Sequence, residues 1–219
     1  IYGLKGVNGS GKTMLMRAIC GLILPTQGKV VIDGKELGKE ISFPPSVGLL
    51  LENPAFVNGY TGFKNLKMIA ALKGVATDED IKAAMEKCGL DPDDTRTFKK
   101  YSLGMKQRLC FAMVVVADTP VMLLDEVMNG LDPQNVSLIS KVLVDLKEKK
   151  KTIIMASHLL QNLQMYADRI LFLKDGGVIQ DFDNRGQNKQ YLKVRMSSEV
   201  SKILVHLKYE KLPDGLVLI

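Results

Sequence analysis

Hydrophobic and polar positions along this chain follow two periods, and the switches between them mark its elements. Short apolar runs bounded by polar or turn residues stand at Ile1 to Leu4, in "SVGLLLE" (46–52), in "VMLLDE" (121–126) and in "TIIMAS" (152–157). They read as buried strands. "GKVVIDGKEL" (28–37) alternates at Val30 and Ile32 and turns at Asp33-Gly34, and "RILFLKDGGVIQDF" (169–182) reads as a hairpin turning at Asp175-Gly176-Gly177. Between these lie helical stripes. Met14 to Cys20 precede a capping position at Gly21, and Phe63, Leu66, Ile69 and Leu72 share a face closed by Gly74. Thr77 with Asp80 forms a capping-box pattern ahead of Ile81, Ala84, Met85 and Cys88, with Gly89 as the stop. Leu109, Ala112, Met113 and Val116 mark a helix from about Gly104 to Ala117. Pro133, at the tolerated first position, opens another with Val136, Ile139, Leu143 and Leu146.

Strands alternating with helices predict an α/β fold with a mainly parallel sheet flanked by helices. The two helices between 61 and 89 have no strand between them, so they form an α-helical insert, part of a helical subdomain spanning about 58–118. The main domain is expected over 1–182. "NRGQNKQ" (184–190) is a candidate linker, and the remainder of 183–219 reads as a C-terminal extension. Its "YLKVRM" and "GLVLI" suggest short strands flanking a helix, a small α+β appendage.

With 219 residues the chain is long enough for one large domain with an appendage. Hydrophobic residues make up 46% and charged residues 25%, as in a soluble globular protein. The longest apolar run, Phe111 to Ala117, is too short to cross a bilayer, and no secretory leader pattern opens the sequence. Cys20, Cys88 and Cys110 are odd in number and match no metal spacing, so they are expected as reduced thiols of a cytosolic protein. The net charge of +6 gathers at Lys147, Lys149, Lys150 and Lys151 and at Lys99-Lys100. It reads as a solvated face or as proximity to an anionic membrane surface ahead of nucleic acid, and no nucleic-acid partner is expected.

The chemistry begins at Gly6-Val7-Asn8-Gly9-Ser10-Gly11-Lys12-Thr13, which has the P-loop spacing G-x-x-x-x-G-K-[ST] between a strand and a helix. Its glycines let backbone N–H groups wrap a phosphate, and the helix N-terminus adds positive potential. Asn8, Gly9, Ser10, Gly11, Lys12 and Thr13 are thus nucleotide-binding candidates. Lys12 reaches the β- and γ-phosphates of ATP and the Thr13 hydroxyl binds Mg²⁺. A second carboxylate site for the metal is supplied by "VMLLDE". Asp125 emerges at the C-terminal end of a buried strand, where open α/β sheets bind ligands, and Glu126 is placed to orient or deprotonate an attacking water.

"YSLGMKQRL" (101–109), "LLDEVMNGLDP" (123–133) and "ASH" (156–158), in that order, resemble the ATP-binding cassette (ABC) ATPases over nearly all of residues 1–182. The resemblance implies a P-loop NTPase fold of ABC type and a Mg²⁺-dependent ATPase that drives a separate membrane permease. It implies two ATP molecules sandwiched head to tail between two cassettes, as in a homodimer. Ser102 and Gly104, from a signature that departs from the usual L-S-G-G-Q at Leu103 and Met105, would contact the γ-phosphate held by the other subunit. His158 would contact the γ-phosphate and link it to Glu126. Asp132, in "NGLD", would meet the opposite P-loop. His206 has no such context and reads as a surface residue.

Glu52 stands where the family usually has a glutamine whose oxygen approaches Mg²⁺ and the attacking water. Glutamate there, a Pro-aromatic stretch after it and "YSLGM" are similar to the ABC subunits of bacitracin-resistance and lantibiotic-immunity exporters. That resemblance implies export of an antimicrobial peptide or other amphiphile by a complex whose ATP-binding subunit lies on the cytoplasmic, inner face of the membrane. The loop after Glu52, with Phe56, Val57 and Tyr60, would be the segment where the permease docks. Val127 replaces the family's usual proline. Family members also carry antiparallel strands ahead of the P-loop, with an aromatic that stacks on adenine, and these are largely missing here. A non-transport ABC ATPase of translation or DNA repair, or a catalytically silent nucleotide-binding module, are the alternatives. The short insert and the intact Glu126 and His158 argue against both.

Overall fold

The computed structural model describes residues 1–51, 56–74, 76–128 and 131–185, with the backbone of 193–195, 210–211 and 216–218. Two compact units divide the chain, Ile1–Asn184 and Arg185–Ile219. In the first, β1 (Tyr2–Lys5), β4 (Val47–Leu50), β5 (Val121–Asp125), β6 (Thr152–Ser157), β7 (Arg169–Lys174) and β8 (Gly177–Asp183) form one sheet in the order β4-β5-β6-β1-β7-β8. All neighbours pair parallel except β7 and β8, an antiparallel hairpin. Asp175 and Gly176 turn that hairpin at φ 49° and 78°, the paired left-handed conformation of a tight two-residue turn. A second hairpin joins β2 (Val31–Ile32) to β3 (Lys35–Glu36), so 28–37 is two short strands.

Alternation along the strands divides the core between the two faces of the sheet. In β5, Leu123 joins Leu4, Met16, Cys20 and Ala156 under α1 (Lys12–Ile19). Met122 and Leu124 face the other way, into the cluster with Ile139, Leu143 and Leu163 from α5 (Pro133–Glu148) and α6 (Leu160–Tyr166). All three strand residues are completely buried, as a sheet covered on both sides requires. The short α6 carries no long stripe, and its start, at Leu159, has no capping side chain. The sequence pattern does not announce it.

The helical insert is α2 (Gly62–Lys73), α3 (Asp78–Lys87) and α4 (Leu103–Ala117), with a 3-10 turn at Phe98–Lys100. Thr77 and Asp80 form the expected reciprocal cap on α3. Hydrogen bonds from the Thr77 N–H and hydroxyl hold the Asp80 carboxyl below the usual carboxylate range. Helix α4 buries Leu109, Cys110, Phe111, Ala112, Val114 and Val116, apolar nearly all round because neighbouring elements cover it. Burial pushes the Cys88 and Cys110 thiols up to about 12. An apolar cavity of about 230 Å³ lies between β4, α2 and α4.

Phe56 is buried and meets Phe98 edge-on at 5.1 Å, and Phe98 meets Tyr101 at 6.0 Å. Phe56 is therefore core, and of the three apolar loop residues named for docking Val57 and Tyr60 stay exposed. Asn184 is buried, and its amide donates to the carbonyls of Gln164 and Ala167. It thus closes the first unit; the rest of the candidate linker, 186–190, lies outside the described residues. In the second unit β9 (Lys193–Arg195), β10 (Glu210–Lys211) and β11 (Leu216–Leu218) form an antiparallel sheet in the order β10-β11-β9. The helix expected between them, and His206, lie outside the described residues.

The loop from Val57 to Thr61 is held by one side chain. Asn65, fully buried on α2, accepts from the Val57 N–H at 2.8 Å and donates to the carbonyls of Val57 and Thr61 at 3.1 and 3.0 Å. In Asn65→Ala the Val57 and Thr61 carbonyls keep the Tyr60 and residue-65 backbone N–H groups. The Val57 N–H loses its partner, and the expected loss is about 2 kcal/mol from an unsatisfied donor and two lost amide bonds. Urea unfolding of the two proteins measures it.

Candidate functional site

The P-loop begins where β1 ends. Gly9 and Gly11 take φ 82° and 101°, left-handed values that other residues resist. A Cβ at Gly9 would meet nothing, so the loop presents bare backbone to the cleft there. Gly6 is small for another reason: a Cβ would come within 2.2 Å of Ser10 Oγ. Ser10 is buried, and its carbonyl accepts from the Gly176 N–H at 3.2 Å, so the β7–β8 turn braces the loop from behind. Helix α1 starts at Gly11 with no capping side chain and no acidic residue in its first turn. Its first N–H groups and positive dipole end are left for an anion.

Lys12 is buried, and its ammonium donates to the carbonyls of Gly6 at 2.8 Å and Val7 at 3.1 Å. With three donors on the ammonium, one remains beyond those two bonds. Thr13 Oγ1 donates to Asp125 Oδ2 at 2.6 Å. Alternation along β5 sends Asp125 to the α1 face, the same face as Leu123, and this is why residues 112 apart in sequence meet.

Glu126 follows with φ 53°, an uncommon conformation for a residue with a side chain. Its N–H donates to the Ala156 carbonyl at 3.0 Å, which ties the turn to β6. The turn points its carboxylate at His158. The His158 N–H donates to Glu126 Oε1 at 3.0 Å, and Nδ1 lies 3.2 Å from both carboxylate oxygens. P-loop residues, Asp125 and Glu126 together line a cleft of about 320 Å³, the size of a small-molecule site.

Ser102, Gly104 and Asp132 do not line that cleft. Ser102 caps α4, its Oγ accepting from the Met105 N–H at 3.2 Å, and its O–H stays able to donate. Asp132 caps α5 through the Asn135 N–H at 2.9 Å, and this bond foremost holds its carboxyl below the usual range. Asn135 Nδ2 also donates to Asp132 Oδ2 at 2.5 Å, and a Cβ on Gly104 would stand 3.0 Å from the same nitrogen. The signature and Asp132 therefore sit side by side on one surface. Glu52, Asn129 and Gly130 lie outside the described residues.

The profile of the family described as ABC transporter matches residues 1–129, more than half of the chain. The chain belongs to the ABC transporter family. It is 42% identical to the uncharacterized ABC transporter ATP-binding protein YybJ of Bacillus subtilis (strain 168), over 80% of this chain and 81% of that protein. It is 37% identical to the bacitracin transport ATP-binding protein BcrA of Enterococcus faecalis, over 83% of this chain and 59% of that one. Among solved structures, the dimeric post-hydrolysis ATP-binding cassette MJ0796, bound to ADP and Pi, superposes with a TM-score of 0.76 at 22% identity, over 85% of this chain and 86% of that one. As a member of this family the chain is an ATP-binding cassette that hydrolyses ATP. No helix among the described residues is long and apolar enough to cross a membrane.

Three contributions to the site were not expected from the sequence, where Gly176 stands only as a hairpin-turn residue. Gly176 braces the P-loop, Asn65 shapes the loop after β4, and the Lys5 ammonium donates to the His158 carbonyl. Lys5 alone carried a signal, a charge at the end of an apolar central strand.

Proposed function

We propose that the chain is the ATP-hydrolysing subunit of an exporter, working on the cytoplasmic face of a membrane with a separate permease. The observation that supports this best is the pair of contacts at the cleft, Thr13 with Asp125 and Glu126 with His158. In this reading the P-loop N–H groups, Asn8 to Thr13, cradle the phosphates, and Lys12 turns its remaining donor toward the β- and γ-phosphates. Two hard oxygen donors at contact distance, Thr13 Oγ1 and Asp125 Oδ2, fit Mg²⁺, and the resemblance would add Glu52 as a further oxygen ligand. No cluster of three acidic, histidine or cysteine ligands exists among the described residues. Mg²⁺ commonly completes its shell with phosphate oxygens and water, so two protein oxygens are enough. The ion would neutralise charge developing on the phosphates.

Glu126 holds the attacking water in line with the γ-phosphate and accepts its proton. His158 donates toward the γ-phosphate while its other contacts stay on Glu126. Ser102, Gly104 and Asp132 serve the site of a second cassette, in line with their place outside this chain's own cleft. Similarity to a bacitracin transport protein supports an antimicrobial peptide or other amphiphile as cargo.

The permease docks beside the loop after β4. Val57 and Tyr60 are exposed there, and Lys99 and Lys100 lie alongside, since Lys99 N donates to Asn58 O and Phe98 N to Tyr60 O. Lys147, Lys149 and Lys151 face Asp168, Asp145 and Asp118. Among the described residues Lys99 and Lys100 form no such ion pair, which leaves their charge for a partner.

Three experiments test the reading. Glu126→Gln removes the proton acceptor and is expected to lower ATP turnover by roughly 10²–10⁴-fold while ATP binding persists and a dimer accumulates in sedimentation. Full turnover by that variant overturns the assignment. Ser102→Arg and Lys12→Ala should each be inactive alone and recover part of the activity when mixed, because one composite site stays whole. No recovery from two folded proteins counts against a shared site. Tyr60→Ala should leave the hydrolysis of the isolated cassette unchanged and reduce its stimulation by the permease in membranes. Unchanged stimulation removes Tyr60 from the docking surface.

A further inference from the structure

We infer that Lys5 is a positioning residue for His158. Alternation along β1 sends Leu4 under α1 and leaves Lys5 on the other face, with Gly3, which packs against Leu163 and Ala167. Register pairs Lys5 with Ser157, one residue before His158. From there the ammonium donates to the His158 carbonyl.

The geometry around His158 explains what that bond does. The direction of a side chain is fixed by the two peptide planes flanking its Cα. The plane before His158 is held by its N–H on Glu126 Oε1 at 3.0 Å. Lys5 holds the plane after it through the carbonyl. Leu159 N–H, in that same plane, donates to Ser157 Oγ at 3.0 Å. With both planes pinned, the imidazole keeps Nδ1 on the Glu126 carboxylate. Without Lys5 the peptide after His158 keeps only the Leu159 N–H bond to Ser157 Oγ, and a single bond lets the plane turn about it and carry the ring with it. Lys5 works from the sheet face opposite α1, so it acts on the phosphates through His158 and not by contact. The inference rests on the proposed role of His158 for its effect on turnover, but not for its effect on the ring.

Two measurements test it on the whole chain. The chain has two histidines, His158 and His206, so ring resonances of histidine-labelled protein report each one. Lys5→Met keeps the aliphatic stem and removes the donor. The His158 resonances should shift or broaden in it, those of His206 should not, and Lys5→Arg should restore the native spectrum. Turnover by Lys5→Met should fall roughly ten-fold, the weight of one charge-assisted hydrogen bond, with KM for ATP unchanged. In a His158→Ala background Lys5→Met should cost nothing further, the non-additivity of residues acting as a unit. Unchanged His158 resonances in Lys5→Met overturn the inference, and so does a loss that adds in full to that of His158→Ala. Full turnover by His158→Ala would instead overturn the role of His158, while the spectra still decide whether Lys5 orients it. If Lys5→Met does not fold, Lys5→Leu, which also removes the donor, serves in both measurements.

Discussion

The bond from Thr13 to Asp125 is the constraint on which the rest of the site depends. It joins the first turn of α1 to the end of β5, although β6 stands between β1 and β5 in the sheet. It can form only if α1 leaves the P-loop and lies back across the sheet on the Leu123 and Ala156 face. That in turn requires three neighbouring parallel strands to end level, so that the carboxylate, the hydroxyl and the P-loop share one edge. Burial of β5 on both faces makes the register costly to shift, because a slip of one residue would turn Asp125 into the core.

Around that contact the site divides its charge by geometry. Buried Lys12 and the uncapped start of α1 supply a positive cradle. Glu126 is turned away from the cradle's floor by its left-handed backbone and meets His158 at the mouth. The backbone pays a small strain energy here, of order 1–3 kcal/mol for such a conformation. The Ala156 carbonyl, which accepts the Glu126 N–H, helps to hold it. The whole arrangement stays in register because the loops carrying it are tied to strands and not to one another alone.

The helical insert reaches the same chemistry by packing. Phe56, Phe98 and Tyr101 form a line of touching rings from the loop after β4 to the residue before Ser102. Asn65 fixes the outer part of that loop with its amide. A displacement of the exposed Val57–Tyr60 edge therefore has a packed route to the signature, since rings in contact transmit displacement without compressing.

The sequence determined the local elements and most of the chemistry. The P-loop was legible because its glycines are forced by backbone conformation within eight residues, and Asp125 because a buried strand cannot end on a carboxylate without reason. The cap at Thr77 and the helix start at Pro133 were legible because helix starts are settled within one turn. The resemblance to ABC ATPases added His158, Ser102 and Gly104. Tertiary structure alone decided the fate of Phe56, which is buried because Phe98, some forty residues on, covers it. It alone decided the existence of α6, whose seven residues are stabilised by Leu163 in the core and not by their own pattern. The roles of Lys5, Asn65 and Gly176 belong to it as well. Each acts by reaching a backbone group, and a backbone group leaves no trace in a sequence until the fold has said which one it is.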